Sequence, residues 1–339
     1  MTGVGSGAAI FGCAGLVLGV AEAAFFRDYD PFGFILFARN VANPAQLSRL
    51  TADLRAAVGR DAPILVDQEG GRVQRLRAPD WREWTPPLDF VIAAGAHAAR
   101  AMELRYQIIA CELRAVGIDA DCAPVGDLIT AVTHPFLKNR CYGSDPLEVS
   151  NVARAVADGL LAGGVLPVVK HMPGHGRSHL DTHLDLPRVD ASRAELAAHD
   201  FAPFKALNDL PMAMTAHLVF TAYDDLPATQ SPAMIRVIRE EIGFHGLLMT
   251  DDLNMQALQG TLASRTAAAM AAGCDLALHC KGDLVEMQAV AMHAGNMSSA
   301  TLLRAAEALS WRKTPADVDI ASLEAELAAM IPDGSHGPT

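Results

Sequence analysis

The chain has 339 residues, of which 51% are hydrophobic, 6% aromatic and 19% charged, with a formal net charge of −12. That is enough apolar material for one large α/β core or two modest ones, and its emphasis on alanine and glycine fits short strands and closely packed helices. The acidic balance, with no run of lysine or arginine, argues against nucleic acid or an anionic membrane as partner and leaves a small, weakly charged substrate.

The apolar opening (residues 8–26) has no basic stretch before it and is interrupted by Glu22. It reads as neither a secretory signal nor a membrane span, so the expected location is cytoplasmic. Cys13, Cys111, Cys122, Cys141, Cys274 and Cys280 form no CxxC pair and read as reduced thiols. Along the chain, short apolar runs predict strands at 9–16, 34–37, 64–67, 118–123, 165–170, 212–217, 247–251 and 276–280. Helical patterns cover 94–116, ending at Gly117 as a C′ glycine, and 146–163. Others cover 192–207 after Asp190 as N-cap, 232–242 with Ser231 as N-cap and Pro232 at N1, 256–272 and 301–309.

Strands alternating with helices predict βαβ repeats and a parallel sheet. Eight of them in about 270 residues match a single (β/α)8 TIM barrel, which needs ~250. The rival is a doubly wound open sheet, whose nucleotide fingerprints GxGxxG and GxxxxGK[ST] are missing. The insertion at 70–90, with Trp81 and Trp84, reads as an elaborated βα loop. The barrel is expected over 1–312, with a peripheral helix and a disordered tail at 333–339 making up 313–339.

Unusual polar residues collect where the predicted strands end: Asp67, Asp127, Lys170, His171, His217, Asp251, Asp252 and His279. In a barrel those positions converge on the catalytic mouth. Histidines at 171, 175, 179 and 183 are spaced as a metal-binding helix would space them, but Pro173, Gly174 and Gly176 break any such helix, so no metal is expected. Asp181 and His183 are better matched to acid–base chemistry, the carboxylate orienting the imidazole, on a glycine-rich segment expected to move. Asp251 suits a nucleophile that attacks a sugar carbon, and Asp252 is the better placed of the two to cap a helix starting near Asn254.

The segments DQEGGRVQRL (67–76), NRCYGSDP (139–146), KHMPGHGRSHLDTHLDLP (170–187) and MTDDLNM (249–255) resemble family-3 glycoside hydrolases, in particular bacterial cytoplasmic β-N-acetylglucosaminidases of peptidoglycan recycling. The motifs occur in family order and, with their flanks, span 16–309. Thr182, Thr250, Met172 and Cys141 depart mildly from the usual pattern.

The resemblance implies Asp251 as nucleophile and His183, held by Asp181, as general acid and then base. It implies Asp67, Arg75, Arg140, Lys170 and His171 as sugar-binding residues, with no cofactor. The substrate would be N-acetylglucosamine β-1,4-linked to anhydro-N-acetylmuramic acid, as disaccharide or muropeptide, and the working form a monomer. A neutral imidazole after leaving-group departure would also tolerate an anionic acceptor, so a phosphorylase, or another family-3 β-glycosidase, is the alternative. A metal-dependent barrel hydrolase and a non-catalytic sugar-binding barrel are the more distant ones.

Overall fold

The computed structural model of the chain describes residues 3–179, 186–315 and 318–331. Eight short parallel strands close into a barrel: β1 Gly7–Gly12, β2 Pro31–Leu36, β3 Ile64–Val66, β4 Ala120–Asp121, β5 Leu166–Met172, β6 Met212–Thr215, β7 Leu247–Asp252 and β8 Leu276–His279. Each pairs with its sequence neighbours, and β1 closes on β8 with Ile10 opposite Leu278. The predicted TIM barrel is therefore the fold. Strand residues are buried almost throughout, because helices cover the outside while side chains fill the inside.

Helix ends follow the cap chemistry. Ser231 accepts from the backbone N–H of Met234 at the start of Pro232–Arg236, and Gly117 adopts φ +80° just beyond Ala98–Ala115. Helices also form outside the predicted set, at Val20–Tyr29, Pro44–Val58, Pro87–Ala94 and Leu284–Ala294. The first of these shares the apolar opening with β1, which accordingly ends at Gly12 instead of residue 16.

Three predicted helices differ in detail. The segment 192–207 splits into Arg193–Ala198 and Ala202–Ala206, since Pro203 has no N–H for the carbonyl of His199 and must lie in a first turn. Its N-cap is Ser192, not Asp190. Helix Leu262–Ala272 starts six residues later than predicted, behind Gly260 at φ +87° and Thr261 as N-cap. The helix from Pro232 continues through the π-helical turn Val237–Glu241.

Two buried aspartates tie the N-terminal face of the barrel together. Asp119, just before β4, accepts from the backbone N–H of Ile64 (2.7 Å), Arg55 Nη2 (2.9 Å) and Arg312 Nη1. Asp275, just before β8, accepts from Leu248 N (3.0 Å), Arg239 (2.6 Å) and Arg304 (2.8 Å). After the barrel, helix Ile320–Met330 buries Leu327 and is bridged to the rest by Arg82–Glu324 and Arg100–Glu326. The last predicted segment, 333–339, lies outside the described residues. The six cysteines are free, and among the described residues no helix is long and apolar enough to cross a membrane.

At the opposite, C-terminal face the loops carry their own short pairings. Gln68–Gly70 and Val73–Gln74 form a hairpin directly after β3. Arg188–Val189 pairs in parallel with Val219–Phe220, which pins the chain leaving β5 to the chain leaving β6.

Candidate active site

A cavity of about 300 Å³ opens at the C-terminal face. That is the lower end of the ~300–1,000 Å³ usual for small-molecule sites, about the scale of one sugar unit. Its floor is apolar, from Ile35, Met214, Met255 and Leu278; its polar wall includes Asp67, Arg75, Arg140, Lys170, His171 and Asp251. An apolar floor under a few convergent polar groups is how such sites fix orientation.

The polar wall is an interlocked set of ions. Asp67, immediately after β3, accepts from Lys170 Nζ (2.8 Å) and Arg75 Nη2 (2.8 Å). Lys170 Nζ also meets Glu69 Oε1 at 2.6 Å, and Arg140 grips Glu69 side-on through Nε (2.8 Å) and Nη2 (2.7 Å). Burial pushes both carboxyls up, but the cations outweigh it: Lys170 and Arg75 hold Asp67, and Arg140 and Lys170 hold Glu69, far below the ordinary carboxylate range. Burial likewise disfavours the Lys170 ammonium, and Asp67 with Glu69 more than reverses that, keeping it charged.

A third carboxylate, Asp127, organises the loop after β5. Asp127 Oδ2 lies 2.7 Å from His171 Nδ1, while Oδ1 accepts the backbone N–H groups of His171 (3.3 Å) and His175 (2.7 Å). Burial raises the Asp127 carboxyl, and the facing His171 brings it below its ordinary value. The loop turns tightly beneath the 128–138 segment: a Cβ at Gly176 would run into the carbonyl of Leu128, so only glycine fits there. His175 is buried at the cavity wall with its ring 5.4 Å from that of His171; burial first, and then His171, lowers its pKa to about 4, so the imidazole is neutral.

Asp251 and Asp252 are the last two residues of β7. Asp251 Oδ1 accepts the N–H of Asp252 at 2.7 Å. Burial raises its carboxyl, but His217 and His171, together with that N–H and Lys170, leave it below the ordinary value, so it is ionised at neutral pH. Asp252 is raised to about 6, by burial first, with the charge of Asp251 adding to the rise. No helix starts at Asn254 for Asp252 to cap. It accepts instead from the N–H groups of Asn254 (3.2 Å) and Cys280 (3.2 Å), linking β7 to β8.

Behind them, buried His217 contacts Thr229 Oγ1 through Nδ1 (2.7 Å) and the Asp252 carbonyl through Nε2 (3.1 Å). Burial lowers the pKa of His217 below the ordinary histidine value.

One poised carboxylate and a set of cations on the wall of one cavity is chemistry suited to a ligand rich in hydroxyl groups. The chain from residue 21 to residue 309 matches the glycosyl hydrolase family 3 N-terminal domain. It belongs to the family-3 glycoside hydrolases. A β-hexosaminidase of Xylella fastidiosa is 37% identical over 94% of this chain and 97% of its own length. One from Alkalilimnicola ehrlichii is 42% identical over 73% of each. Among solved structures, NagZ from Neisseria gonorrhoeae in complex with N-trifluoroacetyl-D-glucosamine superposes with a TM-score of 0.84 at 28% identity, covering 98% of this chain and 99% of that one. A family-3 β-N-acetylglucosaminidase from Paenibacillus sp. str. FPU-7 gives 0.85 at 27%, covering 96% and 67%.

In this family-3 hydrolase the fold brings Asp67, Arg75, Arg140, Lys170, His171 and Asp251 to one cavity. Asp181 and His183 lie outside the described residues. Histidines 171, 175 and 179 do not share a helical face: His171 is the next-to-last residue of β5, His175 follows a turn and His179 is exposed. Among the described residues no group of three or more His, Cys, Asp or Glu is arranged to hold a metal. His279, at the end of β8, is turned away into a hydrogen bond with Asn254 Nδ2 (2.9 Å). Glu69 and His175 were legible only weakly. Glu69 is a charged residue two positions past Asp67 in a segment with no other charge before Arg72, and His175 is the second histidine of the KHMPGHG motif.

Proposed function

We propose that this family-3 hydrolase is a retaining, exo-acting β-N-acetylglucosaminidase that works by a covalent glycosyl-aspartate intermediate. The observation that carries the reading is Asp251: an ionised, half-buried carboxylate on the wall of a sugar-sized cavity that Lys170 and Arg140 also line. Support for the N-acetylated sugar comes from the β-hexosaminidase relatives and from the glucosamine derivative bound by the Neisseria neighbour.

In the first step Asp251 attacks the anomeric carbon while His183, oriented by Asp181, protonates the departing glycosidic oxygen. In the second His183 takes a proton from water, which displaces the aspartate, and two inversions retain the β configuration. Asp67, Arg75, Arg140, Lys170 and His171 hold the hydroxyls of the non-reducing sugar, and no cofactor takes part. The natural substrate is N-acetylglucosamine β-1,4-linked to anhydro-N-acetylmuramic acid, free or carrying peptide, which places the enzyme in the recycling of cell-wall fragments in the cytoplasm, working as a monomer.

The test is turnover of a chromogenic β-N-acetylglucosaminide beside the matching β-glucoside, then of the anhydro-disaccharide. A preference for the glucoside, or no turnover of any of them, would sink the reading.

A further inference from the structure

We propose that Glu69 is a positioning residue: from behind the cavity it aims the unspent donors of Lys170 and Arg140 at the sugar. This rests on reading the cavity as the sugar site. Glu69 is fully buried, with 0% of its surface exposed, and it does not line the cavity, whereas both of its partners do. It therefore acts on a ligand through them.

Donor arithmetic gives the proposal its content. Lys170 has three N–H groups; one points at Asp67 Oδ1 (2.8 Å) and one at Glu69 Oε1 (2.6 Å), which leaves a third. Arg140 spends its Nε–H and one N–H of Nη2 on the two oxygens of Glu69, at 2.8 and 2.7 Å, which fixes the guanidinium plane and leaves the Nη1 edge. A carboxylate that binds two cations at once thus sets both the place and the direction of two hydroxyl-binding groups. Its charge also matters: without it, Arg140 loses the carboxylate it grips and Lys170 keeps only that of Asp67 among its ion pairs with described residues.

Glu69 is itself held. Arg105, fully buried on helix Ala98–Ala115, donates from Nη2 to the Glu69 carbonyl (2.6 Å) and to that of Thr85 (3.0 Å). Its guanidinium lies over the rings of Trp84 and Phe90. The next residue is Gly70 at φ +104°, where a Cβ would collide with the same guanidinium. The turn that presents Glu69 is therefore set by packing against a long helix, and is independent of any ligand.

Glu69→Gln tests this in the full chain, because the amide keeps the shape, loses the charge and turns an N–H donor towards a donor. KM for the chromogenic N-acetylglucosaminide is expected to rise about 10- to 100-fold, as for loss of charge-assisted hydrogen bonds, with a smaller fall in kcat. Monodeoxy inhibitors give the readout that a merely structural role would not move. The hydroxyls held by Lys170 and Arg140 should matter to the parent and cease to matter in Glu69→Gln.

A KM within twofold of the parent, or undiminished deoxy penalties, overturns the proposal. If Glu69→Gln does not fold, Glu69→Asp keeps the charge and withdraws it by one methylene. It should raise KM about tenfold, and an unchanged KM overturns the proposal. If the parent cleaves no glucosaminide, the functional reading has failed separately, and calorimetry with N-acetylglucosamine still decides on Glu69: weaker binding by the variant supports its role, and equal binding overturns it.

Discussion

His171 Nδ1 lies 2.7 Å from Asp127 Oδ2, and the other oxygen of the same carboxylate accepts the backbone N–H groups of His171 and His175. One side chain therefore fixes both an imidazole at the cavity and the backbone of the loop that follows it. With Nδ1 committed, Nε2 is the ring nitrogen left for a ligand.

Asp127→Asn should consequently weaken both. Turned one way, the amide gives its N–H to Nδ1 and forces the tautomer with the proton on Nε2; turned the other way, it sets an N–H against the backbone N–H groups of His171 and His175. The expected cost is about 1–3 kcal/mol in unfolding free energy, with kcat/KM down roughly tenfold or more. The sign with pH is set by the lowered carboxyl of Asp127. Its contribution is present above the ordinary aspartate range and is lost as pH falls through its folded value. Urea midpoints of parent and variant should converge in acid; a gap that widens there contradicts the assignment.

Asp251→Asn should lower kcat by several orders of magnitude, while Asp252→Asn should cost far less, because Asp252 spends its carboxylate on backbone N–H groups just beyond β7 and β8. Trapping with a 5-fluoro glycoside followed by peptide mapping separates the two. Label on Asp252 would reverse the roles proposed for the pair.

Asp121 carries a pH signature of opposite sign. It is fully buried, its Oδ1 accepts the N–H of Gln68 (3.0 Å), and burial, reinforced by Asp67 and Glu69, raises its pKa to about 7. A carboxyl raised in the folded state contributes stability that is fully present below its unfolded value near 4 and is lost as pH rises through about 7. Asp121→Asn keeps the acceptor for Gln68 and removes the titration. Unfolding free energies at pH 5 and pH 8 should show the parent losing stability over that interval relative to the variant; parallel curves would exclude a raised Asp121.

How much of this was readable beforehand differs by residue. The strand ends were legible because apolar runs stop at a polar residue, and the barrel then forces those ends together; Asp67, Lys170, His171 and Asp251 line one cavity. Glu69 was not legible as a positioning group, since its partners come from residues 140 and 170 and its support from residue 105. The helix Val20–Tyr29 was hidden because its apolar residues continue those of β1 without a break. The split at 199–201 was readable from Pro203 and outweighed by the alanine-rich pattern around it.

His183→Ala should slow kcat by ~10²–10⁴-fold for a substrate with a poor leaving group. It should slow an activated aryl glycoside less, since that leaving group departs without a proton. Equal losses for the two substrates would remove His183 from the acid role while leaving Asp251 untouched.

A change at the other end of the barrel should separate stability from catalysis. Asp119 immediately precedes β4, on the face opposite the cavity, and there satisfies the N–H of Ile64 and the guanidinium groups of Arg55 and Arg312. Asp119→Ala leaves a buried N–H without its acceptor and, among the described residues, two arginines with only the exposed Asp61 as a carboxylate partner. Breaking a buried ion pair by removing one member costs about 3–5 kcal/mol, and the shared Asp61 brings the expectation to the lower end of that range. Because Arg312 follows helix Ser299–Ser310, the loss should also loosen the attachment of the chain's last helices to the barrel. The folded fraction should keep kcat/KM within about twofold at 25 °C, as the strand ends that carry Asp67, Lys170 and Asp251 are untouched. A large fall in kcat/KM with the melting temperature preserved would mean that the two faces of the barrel are coupled.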